Sequence, residues 1–402
     1  MNIQPTALPA TPVKSKRIHS IDMLRGIVMI IMALDHVRDY FHAGAFQFDP
    51  TDLSRTDVPL FFTRWITHFC APVFTFLAGT SAFLNGTKKT KKELSIFLFT
   101  RGLWLVIAEV LIITLGWTFN PQYPVLILQV IWALGVSMMV LSALIYLPLT
   151  IILVTGLALI FGHNLLDLAQ TPGEQPTSFL MAVLHKQHIF FMKPFSVMLG
   201  YPVTPWIGIM LTGYAFGQLY LPTYDNVKRK KALLWLGLSA VALFVIIRFI
   251  NAYGDPRPWS SQKTPVFTFL SFLNTTKYPP SLLYTLMTLG PALLFLAFAE
   301  KPLNRLTEKF VVFGRVPMFF YILHIYLIHF LAVIAAAVSG YQWSDMVLTG
   351  WVSMNTQLQG YGYSLVFVFL LWIIMIIGVY PLCKRYDAYK RMNRTKWWLS
   401  YI

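Results

Sequence analysis

Apolar stretches of about twenty residues recur along this chain from residue 24 to residue 384. A helix of about 20 apolar residues crosses a hydrocarbon core of roughly 30 Å. Of the 402 residues, 56% are hydrophobic and 12% are charged, whereas an ordinary soluble domain is roughly a quarter charged. The polar side chains are too few to cover a water-soluble body. The sequence therefore predicts an all-α fold, a polytopic membrane bundle of about ten transmembrane helices. The predicted spans are residues 22–41, 59–85, 95–117, 125–147, 149–166, 205–222, 232–251, 281–299, 313–338 and 362–383.

The distribution of basic residues indicates how the bundle is oriented. The net charge of +16 would suggest nucleic-acid binding in a soluble protein. Here Lys and Arg lie in short runs between the apolar stretches, as the positive-inside rule predicts for cytoplasmic loops. We expect a multi-pass protein with the lipid bilayer as its partner, no nucleic acid, and both termini in the cytoplasm. Residues 1–17 are predicted to be a disordered tail, 18–390 one transmembrane domain, and 391–402 a basic and aromatic tail.

The first predicted helix carries an unusual number of ionisable residues. Asp35, Arg38, Asp39 and His42 share one face at i, i+3, i+4 and i+7, and His36 lies beside them. Ionisable side chains at membrane depth are costly, and they usually face a bundle interior where they line a site or a pathway. The alternative is that Arg38 to His42 reach the outer interface and are hydrated there.

The second predicted helix adds Arg64 and His68, which are i, i+4 neighbours. Antiparallel packing against the first helix would bring His68 to the depth of Asp35 and His36. A carboxylate beside an imidazole can orient a general base. A buried histidine that only satisfies its own hydrogen bonds is the alternative for His68.

Three arginines lie at the predicted inner helix ends, each with a glycine neighbour: Arg25, Arg101 and Arg315. Together they could bind phosphates through bidentate, charge-assisted hydrogen bonds, although positive-inside placement alone also explains them. The sequence has no zinc-type Cys/His spacing, no Walker-type glycine loop and no serine nucleophile elbow. No metal is predicted.

Later helices supply further candidates. Lys277 opens the eighth predicted span at the outer face, against the positive-inside trend. His324 lies about two turns into the ninth span, and His329 falls on a different face. Glu109 is a lone carboxylate within the third span, and we expect an arginine on a neighbouring helix as its partner.

Several of these segments together resemble one known family. They are Ser20-Ile21-Asp22-Met23-Leu24-Arg25-Gly26, then Asp35-His36, then an outer loop with His42, then Pro72 to Gly79, Lys277 to Leu282, and Phe313 to His324. The pattern is similar to the catalytic domain of heparan-alpha-glucosaminide N-acetyltransferase and its bacterial homologues.

The resemblance implies a transmembrane acyltransferase that moves an acetyl group from cytoplasmic acetyl-CoA to a sugar amine or hydroxyl outside, in a bacterial inner (plasma) membrane. His42 matches the catalytic histidine of the family, with Asp35, His36 and His68 as further catalytic candidates. Arg25, Arg101 and Arg315 would bind acetyl-CoA, and Arg38, Lys277 and His324 a saccharide or glycan acceptor. Direct transfer and an acyl-histidine intermediate both stay open, as does a homodimer. The rival hypothesis is a secondary transporter or flippase that uses the same ionisable stripe as a relay.

Overall fold

The structure of this chain, a computed structural model, describes residues 18–168, 178–393 and 395–401. The predicted tail over 1–17 lies outside these residues. The described part is mostly helical, as the sequence predicts. In chain order its α-helices are α1 (His19–Phe41), α2 (Val58–Thr67), α3 (Cys70–Gly86), α4 (Lys91–Ala108), α5 (Thr114–Thr118), α6 (Val130–Leu144), α7 (Leu149–Gly162), α8 (Leu165–Leu168), α9 (Phe179–Leu184), α10 (Thr204–Phe216), α11 (Asn226–Ile250), α12 (Pro265–Leu273), α13 (Leu282–Phe298), α14 (Arg305–Arg315), α15 (Pro317–Val338) and α16 (Leu365–Met392).

Within the described ranges, six helical stretches are long and apolar enough to cross a membrane. They are Val58–Gly86, Lys91–Thr118, Leu149–Asp167, Asn226–Ile250, Pro317–Val338 and Leu365–Met392. Val130–Leu144 and Leu282–Phe298 are shorter apolar helices. Exposed Leu103, Ile246 and Ile374 belong to the outer surface of the bundle, an apolar surface that fits lipid better than water. The total of ten spans and the side of the termini stay predictions.

The central helix is α1, which packs against α2, α3, α14, α15 and α16. Most of its residues are buried, including Asp22, Asp35, His36 and Arg38. The many ionisable residues of α1 therefore face other helices rather than lipid, as the cost of a charge in hydrocarbon requires.

Two predicted spans differ from the structure. In the span predicted over 125–147, residues Val125–Leu128 form a strand, β1, and helix α6 follows only from Val130. Strand β1 pairs in parallel with β3 (Ser196–Leu199), which pairs antiparallel with β2 (His188–Phe191). The span predicted over 313–338 is broken between α14 and α15, because Pro317 begins α15 and has no N–H to continue the earlier helix.

The small residues of α3 and α10 allow these two helices to touch along their backbones. A Cβ atom on Gly79 would lie 2.1 Å from the Met210 carbonyl oxygen, and one on Gly213 would lie 2.1 Å from that of Phe76. The Thr80 hydroxyl donates to the Gly213 carbonyl at 2.9 Å. Small residues at a helix–helix interface allow such a close approach of two backbones.

A π-helical turn interrupts the stretch Lys91–Thr118. It covers Glu109–Ile113 and joins α4 to α5. The side chain of Glu109 lies in this turn and is fully buried.

Candidate active site

A cavity of about 2340 Å³ lies beside α1 and is lined by residues from both ends of that helix. Asp22 and Arg25 line one end, and Asp35, His36 and Arg38 line the other. Because an α-helix rises 1.5 Å per residue, Arg25 and His36 are about 16 Å apart along the axis. The volume exceeds the roughly 300–1,000 Å³ of most small-molecule pockets. The cavity can therefore hold an extended ligand.

We call the end lined by Asp22 and Arg25 the inner end and the opposite end the outer end, after the predicted orientation of the bundle. At the inner end, Arg25 is fixed by contacts with three residues. Its Nη1 lies 3.3 Å from Asp22 Oδ1 and donates to the Gly314 carbonyl at 3.2 Å, and its Nη2 donates to the Ser81 hydroxyl at 2.9 Å. These contacts join α1, α3 and α14. The arginine is thus oriented before any ligand arrives.

Arg315 lies in the same cluster, between two carboxylates. Its Nε is 3.8 Å from Asp22 Oδ2, and its Nη1 is 3.5 Å from Asp387 Oδ2. Arg391 approaches the same Asp387 oxygen at 3.3 Å. At these distances the ion pairs are loose, so an incoming anion can compete for the guanidinium groups.

The inner rim also contains residues from α4, from the end of α16 and from the chain beyond α16. Arg101, Lys390, Lys396 and Trp397 line the cavity there. The indole N–H of Trp104 donates to the Tyr401 carbonyl at 3.3 Å, which attaches the segment after α16 to α4. The basic and aromatic tail predicted from the sequence is therefore part of the cavity wall, as far as it is described.

At the outer end, Asp35 holds α1 and α2 together. Its carboxylate accepts hydrogen bonds from the Arg38 guanidinium, from Arg64 Nη1 at 2.7 Å and from the Thr67 hydroxyl at 2.9 Å. Arg38 is also bonded to Asp39 Oδ1 at 2.8 Å. No hydrogen bond between Asp35 and His68 occurs among the described residues. The acid–base pair expected from these two side chains is replaced by carboxylate–guanidinium pairs.

Lys277 reaches the same carboxylate from the turn before α13. Its Nζ lies 4.0 Å from Asp35 Oδ2, and its side chain lines the cavity. Asp255 fixes this turn, because its carboxylate accepts hydrogen bonds from the backbone and hydroxyl of Thr276 at 2.8 and 2.9 Å and from the Ser281 hydroxyl at 2.7 Å. The sequence analysis did not identify Asp255.

His36 projects from α1 into a group of rings. Its Nδ1 lies 2.8 Å from Nε2 of His324, whose own Nδ1 lies 2.7 Å from the Phe320 carbonyl oxygen. The ring centroids of Trp117 and Tyr321 are 4.9 and 6.1 Å from that of His36. His36, Trp117 and Tyr321 line the cavity, whereas His324 lies behind His36 and does not. His324, predicted to bind substrate, has no cavity surface from which to do so.

His42 and His68 do not line the cavity. His42 follows α1, and its Nδ1 accepts a hydrogen bond from the Gly44 amide at 3.1 Å. The pKa of His42 is lowered, mainly by burial and to a smaller extent by the charge of Arg38, whereas the charge of Asp57 acts to raise it. His68 is buried beside Tyr284, whose hydroxyl donates to the His68 carbonyl at 2.7 Å.

The prediction that Glu109 pairs with an arginine is wrong. Its carboxylate instead accepts a hydrogen bond at 2.7 Å from the Trp132 amide, in the first turn of α6. A carboxylate at a helix N-terminus satisfies a free backbone N–H group and interacts favourably with the helix dipole. Glu109 therefore supports the start of α6 after the strand β1.

Asp49 lies in the outer loop after α1 and lines the cavity. Although its burial acts in the opposite direction, the Arg64 charge and the hydrogen bonds from Thr51 lower the pKa of Asp49. The outer end of the cavity thus presents an ionised carboxylate that sequence spacing did not single out. No group of three or more His, Cys, Asp or Glu side chains suited to a metal ion occurs in the described part of the chain.

Comparison with known families identifies the chain. Residues 17–248 match the model described as heparan-alpha-glucosaminide N-acetyltransferase, catalytic. The protein belongs to this family. No match was found among curated proteins. Family membership makes the protein a membrane acetyltransferase and confirms the resemblance that its sequence motifs carry.

Proposed function

We propose that this acetyltransferase moves an acetyl group from acetyl-CoA at the cytoplasmic end of the cavity to an amine or hydroxyl group of a saccharide at the outer end. One observation carries this proposal: a single cavity is lined at one end by Arg25, Arg101 and Arg315 and at the other by Asp35 and His36. The proposal includes a plasma-membrane location with the basic end inside.

The donor would enter through the basic end. Arg25, Arg101 and Arg315 supply guanidinium groups that bind phosphate oxygens more strongly than neutral donors do. The loose ion pairs of Arg315 with Asp22 and Asp387, at 3.8 and 3.5 Å, leave this arginine able to change partner. The thioester arm would then extend along α1 toward His36.

The reaction needs one base and close approach of the two substrates. The acceptor nitrogen or oxygen attacks the thioester carbonyl, and its proton passes to a histidine. A new C–N or C–O bond forms, the C–S bond breaks, and the histidine returns the proton to the leaving sulfur, which departs as the CoA thiol. An imidazole is suited to both proton transfers because its ordinary pKa is near 6.5.

The acceptor would lie among the polar and aromatic groups of the outer end. Lys277 and Asp49 can bind sugar hydroxyls or an amine, while Trp117 and Trp351, whose ring centroids are 4.6 Å apart, supply an apolar wall. Arg38 is held between Asp35 and Asp39, so we assign it mainly to fixing that site. Lys277 lines the cavity beside these pairs and is the cation that we assign to contact with the acceptor.

The test is a transfer assay with the purified full chain in detergent, with labelled acetyl-CoA and glucosamine or a neutral hexose. We expect acetylated sugar in detergent. In sealed proteoliposomes, we expect it only when the donor is on the side of the basic end. Movement of unmodified sugar across the vesicle membrane without acetyl transfer would favour the transporter hypothesis and overturn the proposal.

A further inference from the structure

The hydrogen bonds of His36, His42 and His324 distinguish the chemical roles of the histidines near the outer end of the cavity. A carbonyl oxygen can only accept, so the 2.7 Å contact between His324 Nδ1 and the Phe320 carbonyl requires a proton on that nitrogen. His324 is fully buried, and no carboxylate contacts it among the described residues. A buried imidazolium without an anionic partner is costly, which favours neutral His324 with a lone pair on Nε2.

That lone pair determines the state of His36. The 2.8 Å contact between His324 Nε2 and His36 Nδ1 then requires the proton to lie on His36 Nδ1. In neutral His36 the lone pair is therefore on Nε2. His36 lines the cavity, so a basic nitrogen is available to a substrate there.

His42 and His68 do not offer a basic ring nitrogen to the cavity. His42 Nδ1 accepts the Gly44 amide at 3.1 Å, so in neutral His42 the proton is on Nε2, and the ring presents a donor instead of a base. His68 is buried and absent from the cavity wall. Of His36, His42 and His68, only His36 has both a free lone pair and a side chain that lines the cavity.

We propose that His36 is the general base of the proposed acetyl transfer and that His324 is a positioning residue, which sets the tautomer of His36 from behind. In the reaction His36 Nε2 takes the acceptor proton, while Nδ1 keeps its proton and donates it in a hydrogen bond to His324. The bond strengthens as His36 becomes positively charged, because charge-assisted hydrogen bonds are stronger than neutral ones. The other titratable groups that face His36 are Asp35 and Arg38 on α1, Tyr321 on α15, and Lys277.

This inference rests on the proposed function, and its test separates the two. In the transfer assay we expect His36→Gln to lower kcat about 100-fold or more, since general-base catalysis contributes about 10²–10⁴-fold. His188→Gln, at a histidine of β2 that does not line the cavity, is the matched control and should retain most of the wild-type kcat. Wild-type activity within about threefold in His36→Gln would overturn the assignment while leaving the transferase function intact.

Two substitutions test the role of His324. Asn places its amide near the position of Nδ1 and can still donate to the Phe320 carbonyl, but it loses the acceptor toward His36. Gln reaches the position of Nε2 and keeps that acceptor. We expect His324→Asn to lower kcat about tenfold or more with the KM for the donor unchanged. The same variant should move the acid limb of the pH–rate profile to lower pH. His324→Gln should retain a larger part of the wild-type rate than His324→Asn does.

A measurement independent of activity completes the test. In ¹⁵N-histidine-labelled protein we expect the His36 resonance, assigned by its loss in His36→Gln, to show an unprotonated Nε2 and a protonated Nδ1. His324→Asn should redistribute that proton. A protonated Nε2 in the neutral wild-type ring, or equal kcat and pH profiles for the two His324 variants, would overturn the inference.

Discussion

Gly26 and Gly314 meet backbone to backbone where α1 crosses α14. A Cβ atom on Gly26 would lie 1.8 Å from the Phe310 carbonyl oxygen, and one on Gly314 would lie 1.8 Å from that of Asp22. Arg25 and Arg315 are the chain neighbours of these glycines. The close crossing therefore brings two of the three proposed phosphate-binding arginines to the same end of the cavity.

We expect Gly314→Ala to destabilise the protein strongly, because the added methyl group must push two backbones apart. Overpacking that shifts side chains and backbone costs typically about 1–3 kcal/mol, and occasionally more. Gly378→Ala is the matched control, since a Cβ there meets nothing within 4 Å. Thermal unfolding in detergent measures the effect, and equal melting temperatures for the two variants would contradict the crossing.

Asp35→Asn should also destabilise the outer end of the bundle. It leaves the Arg38 and Arg64 charges buried without their shared carboxylate, and breaking a buried ion pair in this way costs about 3–5 kcal/mol. Adding Arg64→Gln should recover part of the loss, because one uncompensated charge is removed.

A more exposed ion pair serves as the control for Asp35. Glu300 bonds Arg229 at 2.6 Å, and its side chain is 25% exposed, against 9% for Asp35. We expect Glu300→Gln to change stability by less than about 1 kcal/mol. If Glu300→Gln lowered the stability as much as Asp35→Asn does, burial would not determine the cost of breaking the ion pair.

For the donor, we expect Arg25→Ala and Arg315→Ala each to weaken acetyl-CoA binding about tenfold or more, since a hydrogen bond to a charged group contributes about 1.5–3 kcal/mol. Arg305→Ala removes an exposed arginine of α14 that does not line the cavity, and should leave the affinity unchanged. Titration calorimetry in detergent checks all three. Wild-type affinity in both cavity variants would exclude the phosphate-binding role.

The segment after α16 gives a prediction about the nucleotide part of the donor. Trp397 lines the inner rim although 76% of its side chain is exposed. Stacking of a base on an aromatic ring contributes about 1–3 kcal/mol. We expect Trp397→Ala to raise the KM for acetyl-CoA several-fold but not that for acetyl-pantetheine, which lacks the nucleotide. Trp343→Ala, an exposed site away from the cavity, should change neither value.

His42 should make stability depend on pH. Its pKa is lowered in the folded protein, so folding favours the neutral ring. This contribution is present above the ordinary histidine pKa near 6.5 and is lost as pH falls through the folded value. His42→Asn places its amide oxygen near the position of Nδ1 and can still accept the Gly44 amide without titrating. Between pH 7 and pH 5 we expect the wild type to lose more stability than this variant, and parallel losses would contradict it.

The sequence predicts those parts of the fold and site that depend on one helix at a time. The ionisable face of α1 and the glycines beside Arg25 and Arg315 could be identified from the sequence alone. Apolar content also located the helices, because each lipid-facing stretch must be long and uncharged.

Contacts between distant segments could not be predicted in the same way. His36 and His324 are 288 residues apart, and no spacing rule relates them. Val125–Leu128 is as apolar as a helical span, so only its partner β3 makes it a strand. Glu109 was expected to bind an arginine, but a backbone amide, which every non-proline residue carries, leaves no mark in the sequence.

The π-helical turn at Glu109–Ile113 has a consequence for the proposed base. Such a turn contains one more residue than the α-helical path it replaces. Shortening it by one residue would turn the rest of this helix, Thr114–Thr118, by about 100° about the helix axis, the angle that separates successive α-helical residues. The Trp117 side chain would then no longer lie against the His36 ring. A one-residue deletion in this turn would thus reshape the wall beside the proposed base, although His36 itself lies on a different helix.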